Sequence, residues 1–436
     1  MKSIKMLNNI FVFIRSTAWL SLVALLFFFN GANGQTASNI DAIYSKTIKS
    51  VQFFREGWEF SMPIIDLGSE QRLLLKFDDL NPDAQNYNYS VTHCDAGWNT
   101  SRLVTSEYMQ GFFDTPINDY AFSINTTMRY VNYQLVLPND DVRLLISGNY
   151  LLTVWANSDK EHPVLTRRFY VCEPEVQIRG EVKKATFDSF RGPNQEIDFV
   201  IDHPNFPIRD PRNDIKVVLM QNSEPDNKIT NLKPLFIRQG QLDYNYNREN
   251  VFAGGNEFRN FDTKNLQITG RGVSKIEYLG GDYHVTLQTD QPNPSTLYLS
   301  ENDLNGNYLV KNDRVRDSDL ESDYIFVKFS LKPSSPTDGA DIYVYGALTD
   351  WQCNPANRMK FNPEKGQYEV TLLLKQGFYD YRYIYREKGS SQNNVAPFEG
   401  SFVETENDYR IFVYFGEFSS RYERLIGYRT FNSVKR

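Results

Sequence analysis

Apolar residues recur at every second position in short runs along this chain. Leu73, Leu75 and Phe77 fall on one side of an extended segment, as do Val131, Tyr133, Leu135 and Leu137. Tyr150, Leu152 and Val154 follow Gly148, and Ile197, Phe199 and Ile201 alternate with charged positions. Val285 with Leu287, then Tyr368, Val370, Leu372 and Leu374, repeat the pattern. A two-residue period sends alternate side chains to opposite faces, so each run predicts a strand with one buried and one wetted face. No window of a dozen residues carries a clean 3.6-residue repeat. Clusters of Gly, Pro, Asn and Asp separate the runs. The predicted fold class is therefore all-β, a tandem of antiparallel β-sandwiches of immunoglobulin-like or early-set type.

The chain start breaks this pattern. Lys2, Lys5 and Arg15 precede a mostly apolar stretch from Thr17 to Phe29, and Gly31-Ala32-Asn33-Gly34 leads to Gln35. A basic head, a short apolar stretch and a small-residue exit predict a secretory signal peptide over residues 1–34 and an exported, soluble mature chain. A length of 436 residues suggests two to three domains. Two stretches mark boundaries. FYVCEPEVQI (169–178) reads as the exit from one sandwich and the entry to the next, because Pro cannot continue a central ladder. The charge-dense NDRVRDSDLESD (312–323) precedes a fresh strand, YIFVKFSL. The expected blocks are residues 35–174, 175–320 and 321–436. The weakly patterned stretch Asn245–Asn265 reads as an extended loop within the second.

Composition narrows the partners. Residues 1–34 hold three cations and no acid, so removing them takes the formal charge from −7 to −10. An acidic chain lacks the concentrated basic surface that phosphate contacts need, which argues against nucleic acid and against anionic membrane surfaces. The 31 Phe and 27 Tyr are residues that favour strands.

Candidate chemistry is sparse. His93, His162, His203 and His284 are scattered, with no HExxH pair, and GxSxG, P-loop and dinucleotide fingerprints are absent from the sequence. ENDLNGNYLVKN (301–312) sets Asp303, Asn305 and Gly306 where a calcium loop would, but its twelfth residue is Asn312 rather than a bidentate Glu, so a hairpin turn is expected. Asp313, Asp317, Asp319, Glu321 and Asp323 could hold calcium between domains, though a solvated linker is the expectation. Three Asn-x-Ser/Thr sequons, at Asn88, Asn99 and Asn125, are close to chance by composition. Cys94 and Cys172 lie on strand-like segments of one block, which leaves a single bridge open, and Cys353 remains as a buried thiol. These residues predict a chain that is not an enzyme, with no cofactor, no metal and no small-molecule substrate.

The C-terminal block reads IYVYGALTDWQ, then MKFNPEKGQYEVTLLLKQGFYDYRYIYR, then GSFVETENDYRIFVYF. It resembles the early-set sandwich of branching enzymes and glycogen-binding modules, with Gly346, Trp351, Gly377, Tyr379, Tyr381 and Tyr383 at the matching positions. Glucan binders of that type add a second exposed Trp and a Lys in the following loop. Here that loop, 386–400, has no Trp. The resemblance implies the fold without the sugar platform. Tyr379, Tyr381, Tyr383 and Tyr385 share one strand face and read as core.

The mature chain as a whole carries a closer resemblance. VTHCDAGWNTSRLVTSEYMQGF, INDYAFSINTTMRYVNYQLVLPN and SGNYLLTVW follow one another within residues 91–155, with RRFYVCEPEV, LNGNYLV and SDYIFVKFSL beyond. In that order they resemble the plug protein of the type IX secretion system. The resemblance implies a non-enzymatic periplasmic protein that docks on a large outer-membrane β-barrel translocon, peripheral to that membrane, and closes its periplasmic opening. It supplies no site residues to carry over. The alternative is an exported glycan- or protein-binding β-sandwich. For the barrel contact the sequence offers only the Asn245–Asn265 segment, whose Tyr246, Phe252, Phe258 and Phe261 would either dock on a partner or fold back over their own core.

Overall fold

The strand Leu73–Asp79 turns the sequence pattern into structure directly. Leu73, Leu75 and Phe77 are fully buried, while Leu74 and Lys76 between them keep partial access to solvent. The strand pairs antiparallel with Ile48–Arg55 on one side and Val131–Leu137 on the other, and Asp119–Phe122 closes that sheet at its edge. A second sheet faces it, centred on Gly148–Ala156 between Tyr87–Cys94 and Pro163–Cys172. Tyr133 stacks on Phe77 with ring centroids 5.1 Å apart, and Tyr150 stacks on Phe169 at 5.2 Å. Burial of each such side chain is worth about 1.5–3 kcal/mol. The computed structural model describes residues 39–187, 192–293, 297–333, 337, 339–417 and 419–434. The expected signal peptide at 1–34 lies outside the described residues.

The chain leaves this first core at Cys172 and enters a second at Gln177, across Pro174. One sheet of the second core runs Gln177–Lys184, Asn194–Asp202, Gln241–Asp243 and Phe236–Arg238. The opposing sheet is completed from far along the chain. Ile215–Gln221 pairs antiparallel with Asp408–Phe415, which pairs in turn with Arg424–Asn432. Tyr409, Ile411, Val413 and Ile426 are therefore buried beside Ile197, Phe199 and Ile201.

The third core lies between these contributions. It packs Arg259–Asp262, Tyr308–Val310, Ala340–Tyr345 and Gly377–Glu387 against a sheet built on Tyr324–Leu331 and Gln367–Lys375. The architecture is all-β and mostly antiparallel. Among the described residues two parallel strand pairs depart from the pattern, Ile64–Asp66 with Pro163–Cys172 and Asp282–Leu287 with Tyr324–Leu331.

The expected cut at 320/321 is not where the sheets part. Residues 259–398 supply one core and the chain then returns to complete the second. The polar stretch 312–323 sits inside the third core's strand sequence, and it is not a solvated linker. Asp317 caps the short helix Ser318–Glu321, Asp319 meets Lys76 at 2.6 Å, and Asp323 accepts the Thr127 backbone N–H at 2.6 Å.

Buried polar contacts fix the three sandwiches to one another. Lys375 pairs with Asp78 at 2.6 Å, both almost wholly buried, and the Tyr324 hydroxyl donates to the same carboxylate at 2.7 Å. Arg167 pairs with Asp350 at 2.8 Å, and Arg382 pairs with Glu224. Between the first and second sandwiches an apolar seam forms, where Tyr170 stacks on Phe412 at 4.8 Å beside Trp98, Cys94, Cys172 and Met220.

Candidate interaction surface

The connection between Tyr87–Cys94 of one sheet and Val131–Leu137 of the other occupies residues 95–130, against about four to six residues for an ordinary connection. It is built rather than slack. A short helix, Thr105–Tyr108, leads into Met109–Gly111, which pairs antiparallel with Val142–Leu144. Gly111 makes that pairing possible: its φ is +127°, and a Cβ there would lie 1.8 Å from the Asp141 carbonyl oxygen. Thr115–Pro116 then pairs with Tyr89 and Asn88, and Asp119–Phe122 pairs with Val131–Gln134. Glu107 accepts the Val104 backbone N–H at 2.8 Å and also holds Arg421, and these two contacts keep its carboxyl below the usual range.

This framework presents apolar side chains to solvent. Of the twenty-two large apolar residues exposed among the described residues, six fall within residues 104–124: Val104, Phe112, Phe113, Tyr120, Phe122 and Ile124. Phe112 is 70% exposed, although its backbone N–H is held by the Asp141 carbonyl at 3.1 Å. Lys160 lies over the Phe113 and Trp155 rings, at 5.0 and 5.2 Å, and pairs with Asp114 at 2.8 Å. Tyr120 and Phe122 alternate along an edge strand and so share a face, and Ile124 lies just beyond the strand's end. Scattered exposed apolar residues are ordinary, but this concentration on a hydrogen-bonded excursion makes it a candidate interaction surface. The sequence carried a signal for it. It lies within residues 91–155, the first-domain run specific to the resembled family, and the spacing is too long for a turn.

The three Phe side chains of the segment Asn245–Asn265 are buried, and Tyr246 is partly so. Phe252 is buried in the second core, Phe261 in the third, and Phe258 lies beneath Trp351 at a centroid distance of 6.0 Å. Tyr246 packs against the second core, and its hydroxyl donates to the Lys233 carbonyl. The segment is the crossover from the second core to the third, and its period-2 pattern is weak because its residues serve two cores in turn.

Other sequence candidates have structural placements. Trp351 folds over Tyr345 at 5.5 Å, and Gly306 leaves room for it, since a Cβ there would stand 2.3 Å from the indole. Tyr379, Tyr381 and Tyr383 are buried in the third core and Tyr385 packs against it. Asp303 accepts the backbone N–H groups of Phe258 and Asn305, at 2.6 and 2.9 Å, and fixes a turn. Asp380 accepts the Leu304 and Gly306 N–H groups from the opposite side, and burial together with Asp303 pushes its carboxyl up to about 8.

Cys94 and Cys172 are not joined. The strand Gly148–Ala156 runs between theirs, which sets them about two strand spacings of 4.8 Å apart. That exceeds what a disulfide spans. Cys353 is half-buried with its Sγ 3.6 Å from Asn393 Oδ1, and burial raises its thiol to about 11. His93 is buried, His162 meets Asp159 at the surface, His203 bonds the Phe206 carbonyl and His284 stacks on Phe326. Among the described residues no three His, Cys, Asp or Glu converge as a metal site.

Residues 48–173, the first sandwich, match the family described as type 9 secretion system plug protein 1st domain. The crystal structure of a hypothetical protein from Parabacteroides merdae is similar over 90% of this chain and 99% of its own, at 36% sequence identity and a TM-score of 0.87. An alkylpurine DNA glycosylase from Pseudomonas fluorescens aligns at 12% identity over 29% of this chain and 30% of its own, with a TM-score of 0.18. The BSP domain of a biofilm associated protein aligns at 9% identity over 92% of this chain and 61% of its own, with a TM-score of 0.17. Those last two values are too low to carry an argument. No curated protein matches the chain.

Proposed function

We propose that this chain, whose first sandwich matches the type 9 secretion system plug protein 1st domain family, is a non-enzymatic periplasmic plug that binds the system's outer-membrane translocon barrel and seals its periplasmic opening. The observation that carries the reading is the match of the first sandwich to the plug family, within a chain whose P. merdae relative is similar along nearly its whole length. The physical form suits the task. A cap must withstand load without shearing, and three sandwiches tied by Lys375–Asp78, Arg167–Asp350 and Arg382–Glu224 resist relative movement. The excursion at 95–130 offers the docking face, because its exposed Phe112, Phe113 and Phe122 are rigidly carried and sit in the family-matched part of the chain. A stable complex of this kind buries on the order of 1,600 Å² in total. The first sandwich's outer loops and edge strand can supply one side of that.

The decisive experiment is co-purification from detergent-solubilised outer membrane. Tagged full-length protein is expected to retain a large β-barrel through washes, and its loss is expected to make the outer membrane permeable to antibiotics normally excluded. Capture of no barrel by folded protein would rule the plug out. N-terminal sequencing of the same material is expected to begin at Gln35.

A further inference from the structure

Asn260 and Asp380 stand directly opposite each other where Arg259–Asp262 pairs antiparallel with Gly377–Glu387. Their side chains therefore leave the same face of the sheet, with Cβ atoms about 5 Å apart. Phe261, Tyr379 and Tyr381 enter the third core from the other face. The turn at residues 302–306 meets the Asn260 and Asp380 side chains. Leu304 and Gly306 donate their backbone N–H groups to Asp380 Oδ2 at 2.5 and 3.1 Å, and Asn260 Nδ2 donates to the Asn302 carbonyl at 3.4 Å. Both side chains are more than nine-tenths buried, yet among the described residues no donor reaches Asp380 Oδ1 or Asn260 Oδ1. Asn305 Oδ1, on the turn itself, is buried and without a donor in the same way. We propose that these three oxygens, with the Asp303 carboxylate, hold a calcium ion.

The chemistry of the set favours a cation. All three orphaned atoms are acceptors, and carboxylate and amide oxygens are the ligands that calcium takes. Asp303 accepts the backbone N–H groups of Phe258 and Asn305, one on each oxygen, and each oxygen keeps a second lone pair. Positive charge is short around these acids. Arg271, which acts on Asp380, is held by Glu301, and Arg382, which acts on Asp303, is held by Glu224. Among the described residues neither Asp303 nor Asp380 makes an ion pair. Glu257 and Glu406 lie near Asp303 and deepen the negative field. Burial first, and then Asp303, raise the Asp380 carboxyl, the direction of an acid that lacks a counter-charge. The set holds two carboxylates completed by amides, so it differs from the three-acid clusters that the described residues lack. It also accounts for the calcium-like opening of the segment 301–312. That segment lacks the acid at its twelfth position, where Asn312 stands, and Asp380 supplies one from the neighbouring strand.

Two other occupants would satisfy the same oxygens, a water or a proton on Asp380 shared with Asn260, and calcium titration separates them from the ion. The full chain, treated with EDTA and titrated calorimetrically with calcium chloride at constant ionic strength, is expected to bind one ion. Its Kd should fall at about 10⁻⁴–10⁻³ M, the range of extracellular calcium modules. The melting temperature should rise by about 2 °C or more in about 10 mM calcium. Asp380→Asn keeps an acceptor for Leu304 and Gly306 and gives Asn260 a donor. It is expected to melt in EDTA at or above the wild-type temperature and to lose the calcium response. Asn305→Gly suits the positive φ of 51° at that position, so it should keep the turn and weaken calcium binding about tenfold. Glu301→Gln, at an exposed acid of the same segment, should respond as the wild type does. A wild type with neither heat nor a melting shift up to about 10 mM calcium would overturn the proposal in favour of the proton or the water. A full calcium response in Asp380→Asn or Asn305→Gly, or its loss in Glu301→Gln, would overturn it as well. No barrel takes part, so failure here leaves the plug reading standing.

Discussion

At the scale of single residues, the sandwiches are held by groups that are costly to leave alone. Asp78 receives Lys375, the Tyr324 hydroxyl and the Asn132 amide within a buried space. Asp78→Ala would strand the Lys375 ammonium there, and breaking a buried pair from one side costs about 3–5 kcal/mol. Urea titration should show that loss. Asp78→Leu combined with Lys375→Met should recover most of it, because the pair's own desolvation cost goes too. His93 makes a prediction about pH. It is fully buried against Tyr108, Tyr150 and Tyr422, and burial holds its imidazole below the ordinary value of 6.5. The unfolded chain then binds a proton at this site before the folded one does, so stability is full above about 6.5 and falls as the pH drops through it. Unfolding measured from pH 8 to pH 5 should show the slope, and His93→Gln should flatten it. An unchanged slope would assign the acid sensitivity to carboxylates instead.

At the scale of elements, legibility tracked how many cores a segment serves. Gly377–Glu387 was readable because its alternate tyrosines all enter one core, as was Leu73–Asp79. The stretch Asn245–Asn265 was not, because Phe252 and Phe261 belong to different cores and no single period describes it. The proposed docking surface was hidden for a different reason. Hydrophobic patterning reports what is buried, and Phe112, Phe113 and Phe122 look like core residues until the structure leaves them outside. Their exposure makes a separable prediction. Phe112→Ser with Phe113→Ser should change stability by no more than about 0.5 kcal/mol, as for other surface substitutions. The same variant should lose most of its barrel capture. A variant that melts normally and still captures the barrel at full strength would move the docking face elsewhere.

At the scale of the molecule, chain order and spatial order part company. The strand Asp408–Phe415 is internal to its sheet, bonded to Ile215–Gln221 on one side and Arg424–Asn432 on the other. It buries Tyr409, Ile411 and Val413 in the second core and sets Phe412 and Tyr414 into the seam with the first. No local pattern could announce this, since the pairing joins residues nearly two hundred positions apart; only the long-range register shows it. The chain crosses into the third core and back at adjacent points, where Phe402 donates its backbone N–H to the Gly255 carbonyl at 2.7 Å and the Asn256 side chain reaches the Glu399 carbonyl. Ending the chain at Ser401 should therefore damage the second sandwich, although the deletion lies beyond the third. Five large side chains worth about 1.5–3 kcal/mol each leave with one strand, as much as the whole stability of a typical domain, about 5–15 kcal/mol. Hydrogen exchange on the truncated chain should show Ile215–Gln221 and Asn194–Asp202 stripped of protection. Tyr324–Leu331 and Gln367–Lys375 should keep theirs, because the strands they pair with all lie between residues 259 and 398. Full protection of Ile215–Gln221 after that truncation would mean the second core stands without the returning strands.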